Sequence, residues 1–277
     1  MSDLHDRSAE TIRAWDLAAG KYAEAIAVDV AALQTGALAL SPPEREALLS
    51  LVSGSTRLLH LQCSHGQSAL GLSRATGCEV VGVDGSAAML AIAREKAQRL
   101  EVPTGRVRFV QSDVLAPPPE LAGWANVLLT GSGALPWVRD LTRWGQVVAE
   151  LLAPDGWLVL YEGHPLNWVW DPGAETVQFR AVRSYFDVQA EPNDDFPARA
   201  VERFVQGGAA APRAWEHQWT LGQIVTAVAT AGLRIERLVE YPAHFWPEFR
   251  RVRDSELARL PHSFLLVAQR GAARLTN

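Results

Sequence analysis

The sequence is short of cysteine, of net basic charge and of long apolar runs, and each shortage excludes a class of protein. Its two cysteines, Cys63 and Cys78, lack the paired spacing of a zinc site or a disulfide framework, so we expect small buried residues in a reducing compartment. The net charge is −5 at pH 7 and the arginines are scattered, which argues against nucleic acid and anionic membranes as partners. No apolar run approaches a membrane span, and residues 1–10 lack the pattern of a signal peptide. These shortages predict a cytoplasmic protein with a small-molecule partner.

The order of the predicted elements indicates an α/β core with a helical N-terminus and one insertion. With 277 residues, 48% of them apolar, the chain can bury one large core. Helical spacing in residues 8–52 precedes a strand and helix rhythm, which is interrupted by a stretch rich in proline, glycine, acidic and aromatic residues. The predicted strands are 57–61, 80–83, 106–110, 125–129, 157–161, 233–240 and 263–269. We expect residues 1–55 to cover a ligand site, and residues 56–277 to form the core with a cover insertion at about 166–213.

The stretch from Arg57 to Asp84 contains the clearest sign of a ligand site. It consists of an apolar strand, a turn from Gln62 to Gly66, a helix, and a second apolar strand that ends in Asp84. In open α/β sheets ligands bind beyond the carboxyl ends of the strands, where an acid after the second strand can accept hydrogen bonds from a ribose diol. The alternative is that Asp84 caps the helix that follows Ser86. Both roles require the same geometry, and we favour ribose.

Two further strand ends and one helix extend this pattern. The third strand is followed by Asp113, a second carboxylate, and the fourth leads into residues 130–133, where small side chains permit a close approach of the backbone. The helix from Ala87 to Leu100 has an inward face and a solvent face. We expect Met89, Ile92 and Ala93 on the inward face, and Arg94, Glu95, Lys96 and Gln98 on the solvent face.

This order of elements, with an acid after the second and third strands and a Pro-Asp-Gly turn before the fifth, resembles the class I S-adenosylmethionine-dependent methyltransferases. Trp15-Asp16 with Ala19 and Tyr22 is similar to the entry helix of small-molecule members, and residues 151–156 are similar to their turn before the fifth strand. The resemblance implies a Rossmann-like, mostly parallel sheet of seven strands, with the last strand antiparallel and helices on both faces. A narrower resemblance is to a bacterial subgroup with motifs that here are Leu59–Cys63, Leu135–Trp137, Glu162–Pro165, Trp215–His217 and Leu221–Ala227.

The first motif of this family is altered in the present sequence. His60 stands in the place of the usual acid, Gln62 and Ser64 replace the first two glycines, and Gly66 remains. S-adenosylmethionine has no phosphate, so its loop depends on backbone shape more than on a full anion-binding nest. A dinucleotide would suffer more from the lost glycines, and a nicotinamide-dependent oxidoreductase is therefore the third hypothesis.

The resemblance implies a donor site formed by the turn and the strand ends. Asp84 would bind the ribose diol and Asp113 the adenine amino group, with helix capping as the alternative for each. Tyr22 would either close over the methionine end or belong to the core, and residues 130–132 would either line the sulfonium or form an ordinary turn. The expected contacts to S-adenosylmethionine, or to its product S-adenosylhomocysteine, are Tyr22, Gln62, Cys63, Ser64, Gly66, Asp84, Gly85, Met89, Ser112, Asp113, Val114, Thr130, Gly131 and Ser132.

On the acceptor side, His164 and His217 are the candidate catalytic residues, because a neutral imidazole there could take a proton from a hydroxyl or ammonium acceptor. The alternatives are a turn opening at His164 and a packing or capping role for His217. No metal is expected, since the histidines lack ligand spacing and the acidic tract 191–195 is interrupted.

The resemblance implies methyl transfer to a nitrogen, oxygen, sulfur or carbon atom of a small-molecule acceptor. A protein that binds S-adenosylmethionine without chemistry is the second hypothesis, and the altered first motif is its basis. The chain would act as a monomer or a homodimer.

Overall fold

The computed structural model describes residues 2–103, 105–187, 190–193, 212–244 and 249–271, with no side chains described for residues 2–6. The helices are α1 (Ser2–Glu24), α2 (Ile26–Gln34), α3 (Pro42–Leu51), α4 (Gln67–Thr76), α5 (Ala87–Arg99), α6 (Leu141–Leu151), α7 (Leu221–Thr230) and α8 (Asp254–Leu257). The strands are β1 (Arg57–Leu61), β2 (Glu79–Asp84), β3 (Val107–Gln111), β4 (Ala125–Gly131), β5 (Leu152–Gly163), β6 (Glu191–Asn193), β7 (Ala214–Glu216), β8 (Leu233–Tyr241) and β9 (Ser263–Arg270). Short 3₁₀ turns cover Pro119–Leu121, Leu135–Trp137 and Pro165–Val169.

The main sheet has seven strands in the order β3-β2-β1-β4-β5-β9-β8. The pairs from β3 through β5 are parallel, and β9 lies antiparallel between β5 and β8. This arrangement confirms the expected Rossmann-like sheet with an antiparallel last strand. It also brings the carboxyl ends of β1, β2, β3, β4 and β5 to one edge, which is where the candidate ligand residues lie.

Both faces of the sheet are covered, because the central strands are apolar on both sides. Leu59 packs in a core cluster with Trp144 of α6 and Ile224 of α7. Its neighbour Leu58 points the other way and belongs to a cluster with Leu48 of α3. A strand alternates its side chains between faces, so consecutive leucines need two separate cores. Both cysteines are free and buried, as the sequence predicts.

Two local expectations are corrected by the structure. Residues 154–156 form no separate turn before the fifth strand; they belong to the irregular first part of β5. Asp155 has a φ of 61°, and the pairing with β4 skips between Ala125 and Val127. Lys96 does not face solvent: its side chain is fully buried. Lys96 shares the helix face of Met89 and Ile92, and the neighbouring helix α2 supplies Asp29 as a partner.

The stretch after β5, which is expected to include a cover, packs back against the N-terminal helix. Within its described residues, a 3₁₀ turn is followed by a bridge between Trp170 and Phe179, whose rings stack 4.7 Å apart. Strand β7 pairs with β6 and lies against α1. The Trp215 N–H donates to Thr11 Oγ1 (3.0 Å) and its indole Nε1 to Glu10 Oε2 (2.9 Å), while the Arg7 guanidinium lies 4.4 Å from the Trp215 ring. Residues 188–189 and 194–211 of the expected insertion lie outside the described part of the chain.

Candidate functional site

The turn after β1 keeps the conformation of a glycine-rich loop although it has lost glycines. Gln62 (φ 57°) and Ser64 (φ 49°) lie in the left-handed region, as does Gly66 (φ 74°). A left-handed backbone costs a residue with a side chain about 1–2 kcal/mol, and such strain is concentrated at functional sites. A Cβ at Gly66 would lie 2.7 Å from that of Ala93 and 2.9 Å from the Phe109 ring, so glycine is required there.

Asp84 lies at the end of β2 and faces this turn. Its Oδ2 accepts the Ser64 N–H (2.8 Å) and its Oδ1 accepts the Ser86 N–H (2.9 Å). Burial raises the pKa of Asp84, while the N–H groups of Ser86, Ser64 and Gly85 lower it. A carboxylate offers about four acceptor positions, so this one can still bind a ligand hydroxyl. Asp84 therefore holds the turn and keeps acceptor capacity at the strand edge.

The rest of the first-motif turn is tied to its surroundings. Buried Cys63 donates its N–H to Val83 O at 3.0 Å, and the Ser64 hydroxyl lies 3.8 Å from Met89 Sδ. Met89 is itself buried in the core beside α1. Gln62 Nε2 donates to Ala134 O (2.9 Å), which links β1 to the loop after β4, and Gln62 Oε1 is buried with no partner among the described residues.

Helix α1 runs across the end of β2. Asp16 Oδ1 accepts the Ser86 hydroxyl (2.6 Å) and the Ala88 N–H (3.1 Å), so an acid of α1 caps helix α5. A Cβ on Gly85 would meet Ile12 of α1 at 3.2 Å. Further along α1, the Tyr22 ring stacks on His65 with centroids 4.6 Å apart. The N-terminal segment thus contacts the residues on either side of Asp84.

The end of β3 lies next to β2 but its carboxylate is already paired. The Ser112 N–H donates to Asp84 O (2.9 Å), and Val114 packs against the core. Asp113 forms a two-pronged ion pair with Arg139 (2.7 and 3.2 Å) and accepts the Leu115 N–H (2.9 Å). An adenine amino group would have to share this carboxylate. The pairing with Arg139 could not be seen in the sequence, since Arg139 lies in the loop between β4 and α6.

The end of β4 brings small residues against β5. Gly131 has a φ of 128°, and a Cβ there would lie 2.1 Å from Tyr161 O. Ser132 (φ 58°) is exposed and donates its N–H to Tyr161 O (2.7 Å). The Thr130 hydroxyl is buried and has no partner among the described residues. Together with Gln62 Oε1 it is an unsatisfied polar atom near the strand edge, and such atoms call for a ligand or water partner.

Two buried glutamates near Ser132 were not singled out as site residues from the sequence. Glu162 Oε1 accepts the N–H groups of Gly133 (2.7 Å) and Gly163 (2.9 Å); its Oε2 accepts those of Ala134 (2.9 Å) and Leu135 (3.1 Å). Its position at the end of a buried strand is the same signal that identified Asp84.

Glu44 of α3 is also buried, and it accepts hydrogen bonds from Ser41 and Ser132. Burial raises its pKa to about 7, with the charge of Glu162 adding to the effect.

His164 is held by hydrogen bonds at both ring nitrogens. Its Nδ1 accepts the Leu166 N–H (3.0 Å), and its Nε2 lies 2.8 Å from Glu240 Oε1 of β8. Burial lowers its pKa despite the carboxylate. Because Nδ1 already accepts a proton donor, no ring lone pair remains for a substrate proton. This geometry favours the alternative that His164 opens and caps the turn after β5.

His217 has a different environment. Its backbone N–H donates to Pro136 O (2.7 Å), so it lies against the loop after β4, and its ring stacks on Trp219 with centroids 5.6 Å apart. The Nδ1 atom is buried with no partner among the described residues. Burial lowers the pKa of His217, and the positive charges of Arg7 and Arg139 add to this effect. His217 is therefore a neutral imidazole with an unused ring nitrogen.

Among the described residues, no group of three or more histidine, cysteine, aspartate or glutamate side chains is arranged to hold a metal ion. The same part of the chain contains no helix whose length and hydropathy would let it cross a bilayer.

Comparison with known proteins finds similarity in the central part of the chain. Residues 58–156 match a family model described as a methyltransferase domain. A demethylmenaquinone methyltransferase from Thermus thermophilus is 38% identical over 122 residues, which make up 42% of this chain and 51% of that protein. The match therefore spans about half the length of this relative.

Solved structures extend the likeness to most of the chain. An S-adenosylmethionine-dependent methyltransferase from Mesorhizobium loti superposes with a TM-score of 0.57 at 23% identity, covering 83% of this chain and 96% of that one. The geranyl diphosphate C-methyltransferase from Streptomyces coelicolor, solved with Mg²⁺, geranyl diphosphate and S-adenosylhomocysteine, superposes with a TM-score of 0.56 at 16% identity, covering 82% of this chain and 78% of that one. The chain therefore shares its fold with these methyltransferases, and its central part matches the methyltransferase-domain model.

Proposed function

We propose that the chain is an S-adenosylmethionine-dependent methyltransferase that acts on a small molecule. The observation that carries the proposal is Asp84: a half-buried carboxylate at the end of β2 that faces the turn after β1 and keeps acceptor capacity. A ribose diol needs such an acceptor, and the first two strand ends of an open sheet are where a nucleoside binds. The methyltransferase-domain match over residues 58–156 supports the same conclusion.

The residues at the strand edge fit this donor. Asp84 would hold the ribose, and the turn from Gln62 to Gly66 would follow the methionine portion without a phosphate-binding nest. The unsatisfied Gln62 Oε1 and Thr130 Oγ1 would gain partners, and Gly131 permits close approach at β4. Asp113 would contribute to the adenine site while it remains paired with Arg139.

When bound, the donor supplies an activated methyl group on a sulfonium centre. The chain contributes orientation and the exclusion of water, because positive charge disperses as the methyl group leaves and a dry, ordered site favours that change. Two contacts would close the site against water. The ring of Trp15 meets that of Trp137 (centroids 5.4 Å apart), and Trp215 packs on α1.

His217 is the better of the two candidate bases. Its unused Nδ1 lies in the segment that packs on the loop after β4, whereas both nitrogens of His164 are engaged. For a hydroxyl acceptor, or an amine that is protonated at neutral pH, Nδ1 would take the proton. Such general-base catalysis contributes about 10²- to 10⁴-fold in rate.

The acceptor is proposed to be a small molecule with an apolar or aromatic body. The named relative is a demethylmenaquinone methyltransferase, and the aromatic side chains around the loop after β4 suit a planar substrate. We also propose that the chain belongs to the bacterial subgroup with the Leu59–Cys63 motif. Gln62 of that motif donates a hydrogen bond to the loop after β4, so the motif contributes to the same site.

The test begins with calorimetry of the purified chain against S-adenosylhomocysteine, followed by incubation with S-adenosylmethionine and a library of phenols, quinols, amines and thiols. Micromolar binding and a methylated product, detected by mass spectrometry, are expected. Binding without product across the library would favour a protein that holds the donor without chemistry. Failure to bind would overturn the proposal. With an acceptor in hand, His217→Ala should lower kcat by about 10²- to 10⁴-fold and His164→Ala much less.

A further inference from the structure

Lys96 is buried beneath the turn after β1, where its ammonium group has three hydrogen-bond partners. Its Nζ lies 2.9 Å from Asp29 Oδ2, 3.0 Å from Gln67 Oε1 and 2.6 Å from His65 Nδ1. An ammonium has three donors and no acceptor, so these three contacts use it completely. The side chain is fully buried, and its position is therefore determined by these partners.

The contact with Lys96 determines the tautomer of His65. Because the ammonium can only donate, His65 Nδ1 must accept, and the ring proton of the neutral imidazole lies on Nε2. Protonation of Nδ1 would place a second positive charge against the ammonium. The pKa of His65 is lowered to about 4, mainly by burial and also by the charge of Lys96, whereas Asp29 opposes both effects. The ring is therefore a neutral donor at physiological pH.

His65 presents this N–H group in the turn along which S-adenosylmethionine would bind. It lies between Ser64, which binds Asp84, and Gly66, and the Tyr22 ring of α1 stacks on one face. The groups next to the imidazole are Lys96 of α5, Asp29 of α2 and Tyr22 of α1. Gln67 of α4 contacts Lys96. The side chain is 20% exposed, and its Nε2 has no hydrogen-bond partner among the described residues.

We propose that Lys96 holds His65 as the Nε2–H tautomer, and that this N–H donates to the carboxylate at the amino-acid end of the methyl donor. This inference rests on the proposed function for its ligand, while the tautomer rests on the protein alone. In this proposal Asp84 binds the ribose, and His65, whose ring stacks on Tyr22, lies beside the amino-acid end of the same molecule. Lys96 is a positioning residue, since it acts only through His65.

The tautomer is measured by nitrogen-15 NMR of the histidine rings in the ligand-free protein. In wild type, His65 should show a protonated Nε2, an unprotonated Nδ1 and no titration between pH 5 and 8. In Lys96→Met paired with Asp29→Asn, which leaves no unpaired buried charge, His65 Nδ1 loses the ammonium donor, so the Nδ1–H tautomer should appear while burial keeps the pKa of the ring low. A protonated Nδ1, or ordinary titration in wild type, would overturn the assignment.

The contact with the donor is tested by comparing two ligands that differ in the amino-acid portion. His65→Phe keeps a ring for Tyr22 but removes the N–H, and it should weaken S-adenosylhomocysteine binding about 5- to 100-fold. Its affinity for 5′-methylthioadenosine, which lacks the amino-acid end, should stay within about twofold of wild type. The second ligand also controls for the fold of the variant.

The possible failures can be told apart. Equal weakening for both ligands would mean that His65→Phe disturbs the whole site, and unchanged binding of S-adenosylhomocysteine would mean that His65 makes no contact; either result overturns the proposal. Wild type that binds neither ligand would overturn the proposed function, and with it the carboxylate contact. The NMR result would still decide the tautomer.

Discussion

Asp84 and Glu162 occupy matching places in two halves of the sheet, yet the structure uses them differently. Each is an acid at the carboxyl end of a strand; Glu162 is buried and Asp84 is half-buried, and burial raises the pKa of each. Glu162 accepts four backbone N–H groups, so its acceptor positions are filled by its own chain. Asp84 accepts hydrogen bonds from the N–H groups of Ser64, Ser86 and Gly85, which leaves one of about four acceptor positions for a ligand. The comparison shows that an acid at a strand end can bind a ligand only through the acceptor positions that the neighbouring loops leave free.

The largest effect is expected for Glu162→Ala. It should lower the free energy of unfolding by about 3–5 kcal/mol, because four buried N–H groups would lose their acceptor. Urea denaturation measures this loss. Glu150→Ala is the control, since Glu150 is exposed and its ion pair with Arg143 is worth at most about 1 kcal/mol. A loss for Glu162→Ala no greater than that of the control would refute the structural role.

The next effect concerns pH and the neighbouring acid Glu44. Its pKa is raised to about 7 in the folded chain against an ordinary 4.5, so the folded state binds the proton more tightly. Lowering the pH from 8 to about 5 should therefore stabilise wild type relative to Glu44→Gln by about 3 kcal/mol. Glutamine cannot ionise but can keep the capping box with Ser41.

The comparison with Glu44→Gln is necessary because other groups act in the opposite direction. The pKa values of His60, His65 and His262 are lowered to about 4 in the folded protein. Their contribution to the free energy of unfolding is therefore lost as the pH falls below about 6.5. The difference between the two unfolding curves cancels their contribution. Parallel curves from pH 8 to 5 would show that Glu44 titrates normally.

A smaller effect, on binding, is expected for Asp84→Ala. The affinity for S-adenosylhomocysteine should weaken by about 1–3 kcal/mol, which is the cost of leaving buried hydroxyls unpaired. The control is Asp140→Ala, which removes the N-cap of α6 and should cost about 1 kcal/mol of stability without changing the affinity. Calorimetry with both variants separates the ribose role from a capping role. Unchanged affinity in folded Asp84→Ala would assign Asp84 to the turn alone.

The smallest effect concerns the contact between β7 and α1. Glu10 accepts hydrogen bonds from the Trp215 indole (2.9 Å) and the Arg213 N–H (3.1 Å), and the Trp215 bond lowers its pKa. Glu10→Gln should weaken this docking by about 1 kcal/mol, so amide hydrogens of β7 should exchange about fivefold faster. Glu46→Gln, at an exposed position of α3, should leave that exchange unchanged. Equal exchange rates of the β7 amides in both variants would mean that Glu10 does not stabilise the contact between β7 and α1.

Much of the fold could be predicted because its signals are local. The short apolar runs around Leu59 and Val81 predict strands, and the acids that follow β2 and β3 mark the ends of those strands. Lys96 shows where this approach failed. Its spacing from Met89 and Ile92 places it on the buried face of α5, but its charge suggested solvent, and only the approach of Asp29 makes its burial possible.

The sequence by itself determined the order of the elements, the apolar core and the edge of the sheet where candidate residues gather. Tertiary structure alone decided which polar groups are already used: Arg139 pairs with Asp113, Glu240 binds His164, and backbone amides fill Glu162. The partners in these contacts come from separate elements, and no local pattern encodes their meeting. Hydrogen-bond capacity is set by residue type, but what remains of it for a ligand depends on which distant groups the fold brings within about 3 Å.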